Sequence, residues 1–155
     1  MNESYEVVVL DVARNDLLQV VGSFERRAAS LTDVELSGAF DGCNASDFSG
    51  VLSCVMSKCE GDFCVAAKLH GLEVYNGVLL SVVLFRVVKY GGSFDVEFFF
   101  YDSDVDDVGA AMRGMQRYIV ELASKLQLGG FYGGMEPAVD VQTRYFTNGD
   151  FGPLR

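Results

Sequence analysis

Residues 82–101 read VVLFRVVKYGGSFDVEFFFY, and how this stretch folds decides the architecture. Gly91-Gly92 separates two alternating apolar runs, and glycine takes the positive φ angles of a tight hairpin turn at little cost. Counting back from that turn pairs Arg86 with Glu97, opposite charges across the ladder that contribute at most ~1 kcal/mol. In this register Val83, Phe85, Val87, Val96, Phe98 and Phe100 share one face and are expected to line the core. The opposite face mixes Val82, Leu84, Val88, Phe99 and Tyr101 with Arg86, Asp95 and Glu97, a composition that predicts partial cover only.

Working outward, Tyr5–Val12 is rich in β-branched residues and reads as a strand. Asn15 or Asp16 then caps a helix with Leu17, Val20, Val21, Phe24 and Ala28 on one face. Small and polar residues at close intervals make 31–50 an irregular connection with at most one short strand. A turn at Glu60-Gly61 predicts another hairpin, in which Leu52 faces Leu69, Cys54 faces Ala67 and Met56 faces Val65. Val105–Gln127 carries apolar residues at spacings of three and four and predicts a helix ~34 Å long at ~1.5 Å per residue. Asp102, Asp104, Asp106 and Asp107 lie at its start, where the macrodipole favours anions, and Gly129 lies where a left-handed cap would end it. Together these elements predict an α+β fold: a single antiparallel, curved sheet of about five to six strands, packed against a long C-terminal helix and a shorter N-terminal helix.

The 155 residues, half of them hydrophobic, suit a single domain spanning 1–155. Twenty-two acids against twelve bases give a formal charge of −10. Such a field repels nucleic acid and anionic membrane and attracts basic partners. The acids are concentrated: 95–107 holds six and no base, and 28–57 holds Asp33, Glu35, Asp41 and Asp47 without lysine or arginine. With no apolar run long enough for a membrane span or a signal peptide, the expected location is the cytoplasm. Cys43, Cys54, Cys59 and Cys64 lack zinc-knuckle spacing and are expected as free thiols in a reducing compartment.

Constellations that carry chemistry are weak. In YDSDVDDVG, Asp102, Asp104 and Asp106 occupy the first, third and fifth positions of a calcium loop. Asp107 then stands where glycine is required and Arg113 where the terminal glutamate belongs, so no metal site is expected. His70 has no catalytic partner within its own segment. GGFYGG follows a helix instead of opening one and lacks an adjacent lysine, which separates it from phosphate-binding loops. No catalytic set and no cofactor are expected. Glu136, Asp140 and Arg144 recur every four residues, and an Asp140–Arg144 pair is expected to clamp the final segment. That segment, 128–155, holds both prolines, six of the seventeen glycines and five aromatics, too much apolar material to be left as a solvated tail.

A small acidic α+β chain without a catalytic set, ending in GGFYGGMEPAVDVQTRYFTNGDFGPL (129–154), resembles the bacterial immunity proteins of polymorphic and contact-dependent toxin systems. The resemblance implies an antitoxin that binds a cognate toxin domain stoichiometrically. The toxin is expected to be basic, because electrostatic steering speeds capture. Partner contacts are expected at Asp102, Asp104, Asp106 and Asp107 and at Tyr132, Glu136, Asp140, Arg144, Tyr145 and Phe146, the aromatics as exposed anchors. The protein is expected as a monomer or homodimer. Two other readings fit the composition: a small-ligand domain or enzyme with a cavity between sheet and long helix, and a secretion chaperone or adaptor.

Overall fold

A computed structural model of the chain describes residues 2–37 and 42–155, apart from the side chain of Asn76. Asp41, one of the acids of 28–57, lies outside the described residues. The elements in chain order are β1 (Ser4–Leu10), α1 (Arg14–Arg27), β2 (Ser30–Ser37), α2 (Phe48–Lys58), β3 (Phe63–Glu73), β4 (Leu79–Tyr90), β5 (Ser93–Tyr101), α3 (Val108–Ala123), β6 (Gly130–Met135), β7 (Arg144–Thr147) and β8 (Asp150–Phe151). The described strands form one antiparallel, curved sheet in the order β2-β3-β4-β5-β1-β6-β7-β8. The described residues form an α+β fold as expected, with eight strands instead of five to six.

The β4–β5 hairpin has the expected register. Arg86 faces Glu97, Tyr90 faces Ser93, and Gly91 and Gly92 take φ of 58° and 91°. Val83, Phe85, Val87, Val96, Phe98 and Phe100 are all buried. The three helices pack on this apolar face. Phe24 of α1 meets Phe98 at 4.6 Å between ring centroids, and Phe48 of α2 meets Phe85 at 4.9 Å. Met112 and Met115 of α3 are fully buried. Burying one such side chain contributes about 1.5–3 kcal/mol. Since Phe98, Phe100, Met112 and Met115 fill the layer, the cavity expected there by the ligand-binding reading is packed core.

Residues 48–58 are helical, which corrects the hairpin expected at Glu60-Gly61. A short apolar run fits either period, and capping decides it here. Asp47 accepts the Gly50 N–H at 2.8 Å, and the Glu25 carboxylate accepts the N–H groups of Phe48 (2.7 Å) and Ser49 (3.1 Å). Three of the orphan donors of the first turn are thereby satisfied. β3 lies instead between β2, where Leu31 faces Leu69, and β4. The helical turn also brings Cys54 to Cys43, with 5.6 Å between their Cα atoms, in a disulfide. Cys59 and Cys64 are the free thiols, instead of all four cysteines.

The helix expected over Val105–Gln127 is shorter and is followed by three strands. A 3-10 turn at Asp102–Asp104 precedes it, Val105 and Asp107 are extended, and the Asp107 side chain then caps α3 by accepting the Ala110 N–H at 3.1 Å. Past Ala123 the chain is drawn toward α1: Gln127 donates its N–H to Asp16 at 2.8 Å, and its carbonyl accepts the Ala13 N–H at 3.0 Å. Gly129 is accordingly not a helix cap, and its N–H donates to the Leu10 carbonyl at 2.9 Å.

The 128–155 segment is ordered. β6 lies beside β1, and Gly133 faces Phe146 across the β6–β7 pair. A Cβ on Gly133 would lie 2.5 Å from Phe146 Cε1 and 3.0 Å from Met112 Sδ. Both of those side chains are buried, so admitting a methyl group requires one of them to shift out of its packed position. Gly133→Ala is therefore expected to destabilise the protein by about 2 kcal/mol through overpacking. Urea denaturation checks this, and an unchanged midpoint would contradict the close approach.

Candidate functional site

Strand alternation sends a second set of side chains to the face without helices. Cross-strand neighbours there run Lys68, Leu84, Phe99, Glu6 in one row and Ala66, Arg86, Glu97, Val8, Tyr132 in the next. At the β1–β6 end the loop after β6 covers the sheet. Ala138 is fully buried, and its N–H donates to the Glu6 carboxylate at 2.6 Å. Arg144 secures the same loop, donating from Nε to the Ala138 carbonyl at 2.8 Å while its guanidinium lies 4.0 Å from the Tyr132 ring centroid.

Beyond this loop the face is hollowed into a trough of about 600 Å³. Leu84 and Phe99 form its floor, and Tyr101, Asp104 and Glu136 line it from the ends of β5 and β6. Arg86 crosses the floor, held to Glu97 at 2.6 Å and stacked 4.8 Å from the Phe99 centroid. Lys68 pairs with Asp33 at 3.5 Å. The N-terminal strand is part of the sheet between β5 and β6, and leaves this face open.

The titrating groups nearby are poorly suited to nucleophilic chemistry. Burial pushes the Cys64 thiol up, and Arg86 offsets this only in part. Such a thiol is held in its unreactive protonated form. Burial, aided by Glu6, likewise raises the Tyr132 phenol against the opposing pull of Arg144. His70 Nε2 is 2.7 Å from the Thr32 hydroxyl. Among the described residues, no group of three His, Cys, Asp or Glu side chains is arranged to hold a metal ion. No described helix is long and apolar enough to cross a membrane.

The family model of the PABL017 Cdi1I immunity protein matches residues 3–151. The chain belongs to the Cdi1I immunity protein family. It is also similar over its whole length to a chain in the 1.75 Å crystal structure of the toxic C-terminal tip of CdiA from Pseudomonas aeruginosa in complex with immune protein. That similarity has 34% sequence identity, covers 100% of both chains and gives a TM-score of 0.90. No curated protein matches the chain.

In this Cdi1I family member the residues expected to bind a partner are partly gathered. Asp104 and Glu136 line the trough. Asp102 lies in the 3-10 turn beside it, accepting the Glu3 N–H at 3.3 Å, while Asp104 accepts the Tyr101 N–H at 2.9 Å. Tyr132 and Arg144 belong to the same face, under the loop. Asp106 and Asp107 are exposed just before α3, and Asp140 is exposed in the loop. Tyr145 turns to the helix side, where its ring packs edge-on against Tyr5 at 6.3 Å. Phe146, expected as an exposed anchor, is 1% exposed and belongs to the core.

The expected Asp140–Arg144 pair is not formed. Residues 141–143 make a 3-10 turn, which removes the four-residue stacking the pair needs, and Arg144 binds backbone carbonyls instead. Sequence reasoning placed Leu84, Arg86 and Phe99 on a partly covered face but did not assign them a role. Glu6 was missed altogether, because its partner lies 132 positions away. Glu6→Ala leaves the buried Ala138 N–H without an acceptor and is expected to cost about 1–3 kcal/mol. It should also speed amide exchange at Ala138, and exchange as slow as in the parent would contradict the clamp.

Proposed function

We propose that the chain is an antitoxin that neutralises a cognate toxin domain by stoichiometric binding, without chemistry of its own, acting as one domain in the cytoplasm of the cell it protects. The observation that carries this is full-length similarity, at 34% identity, to a chain of a complex between a CdiA toxic tip and immune protein. Membership of an immunity family points the same way.

The expected contacts fall into two groups with different work. Asp102, Asp104, Asp106, Asp107 and Glu136 form an acidic border at the ends of β5 and β6 and ahead of α3, suited to steering a basic toxin. Tyr132, Asp140, Arg144 and Tyr145 belong to the closing segment, where Arg144 and Tyr132 stiffen the loop that carries Asp140. Phe146 supports this segment from the core and is not a contact.

Mixing the purified chain with its cognate toxin domain is expected to give a complex with equal numbers of the two chains, and toxin activity should vanish at equivalence. Light scattering after gel filtration and a toxin activity titration read both. The association rate is expected to fall about tenfold or more between low and high salt, as steered encounters do. A toxin left fully active in excess antitoxin would sink the reading.

A further inference from the structure

Cations on the helix-free face are already engaged. Lys68 is paired with Asp33, Arg86 with Glu97, and Arg144 with the loop carbonyls and Tyr132. Many of the other bases lie on the helix layer: Arg14, Arg26 and Arg27 on α1, Lys58 on α2, and Arg113 and Arg117 on α3. Asp104 and Glu136 line the trough, and neither is in an ion pair among the described residues. The same trough is lined by the apolar side chains of Leu84, Phe99 and Tyr101, with Leu84 37% and Tyr101 52% exposed.

An apolar strip bordered by carboxylates complements a side chain with an aliphatic stem and a cationic head. Lys68 and Arg86 also line the trough, each paired with a carboxylate, so its charges outside ion pairs among the described residues are Asp104 and Glu136, which repel an acidic peptide or a phosphate backbone. A second copy of this chain would bring the same acidic border against itself, and like charges placed face to face oppose docking. Resting on the antitoxin reading above, we propose that the trough is where the toxin domain docks. Its occupant is a toxin loop whose arginine or lysine lays its stem on Leu84, Phe99 and Tyr101 and meets Asp104 and Glu136 with its charged end.

Affinity of the cognate toxin domain for the full chain, measured by biolayer interferometry, tests this with two sets of surface variants. Tyr101→Ser, Leu84→Ser and Glu136→Gln alter the trough; Leu18→Ser and Val120→Ser alter exposed apolar positions on the helix layer. Each variant is first shown to melt as the parent does. Trough variants are expected to weaken binding at least about tenfold, and helix-layer variants less than about twofold. Glu136→Gln should act mainly on the association rate and lose its effect at high salt.

A parent chain that binds its toxin while the trough variants bind equally well overturns the docking surface and leaves the antitoxin reading standing. Loss of binding in the helix-layer set alone does the same. A parent chain that does not bind the toxin overturns both. If sedimentation shows a homodimer that the trough variants dissociate, the occupant is a second copy and the proposal fails.

Discussion

Phe24 of α1 lies 4.6 Å from Phe98 and 6.3 Å from Phe85, and Phe48 of α2 meets Phe85 from its other side. Tyr118 of α3 adds a third helix to the cluster, 4.9 Å from Phe24, with its hydroxyl bonded to Ser23. These rings gather three helices on one side of the sheet, and the remaining structure follows from that one-sidedness. A sheet covered on one face leaves the other to water, loops or a partner. Here the loop 136–143 covers one end, and the trough is what remains.

The two faces differ in chemistry because they meet different surroundings. On the helix side, packing requires apolar residues at alternate positions, and Val83, Phe85, Val87, Val96 and Phe98 are completely buried. On the other side, alternation is free to place charges, and ion pairs such as Arg86–Glu97 bridge adjacent strands. Partly exposed pairs of this kind add little stability. Their effect is positional: Glu97 holds the Arg86 guanidinium over the Phe99 ring.

Much of the sheet was legible in the sequence. The 82–101 hairpin declared its turn, register and core face through Gly91-Gly92 and strict alternation. What could not be read depended on contacts distant in the chain. The helical state of 48–58 rests on Glu25, 23 positions from Phe48. The early end of α3 rests on Asp16 reaching Gln127, 111 positions away. The strands after α3 were hidden by glycines, at Gly133 because Phe146 passes too close for a side chain. The candidate site was half legible: acids at 102–107 and Glu136 were visible as charges, but only the strand order brings Asp104 and Glu136 to one trough. Phe146 was misread because an aromatic in a polar segment serves equally well as a surface anchor or a core plug.

On our proposal the helix-free face is the working surface of this immunity-family protein, and the helix layer is its support. Methyl-selective NMR of the full chain, recorded as the toxin domain is added, addresses that claim directly. The signals of Val82 and Leu84 should shift or broaden while those of Leu18 and Val120 stay in place. Shifts confined to Leu18 and Val120, with Leu84 unmoved at saturating toxin, would contradict it.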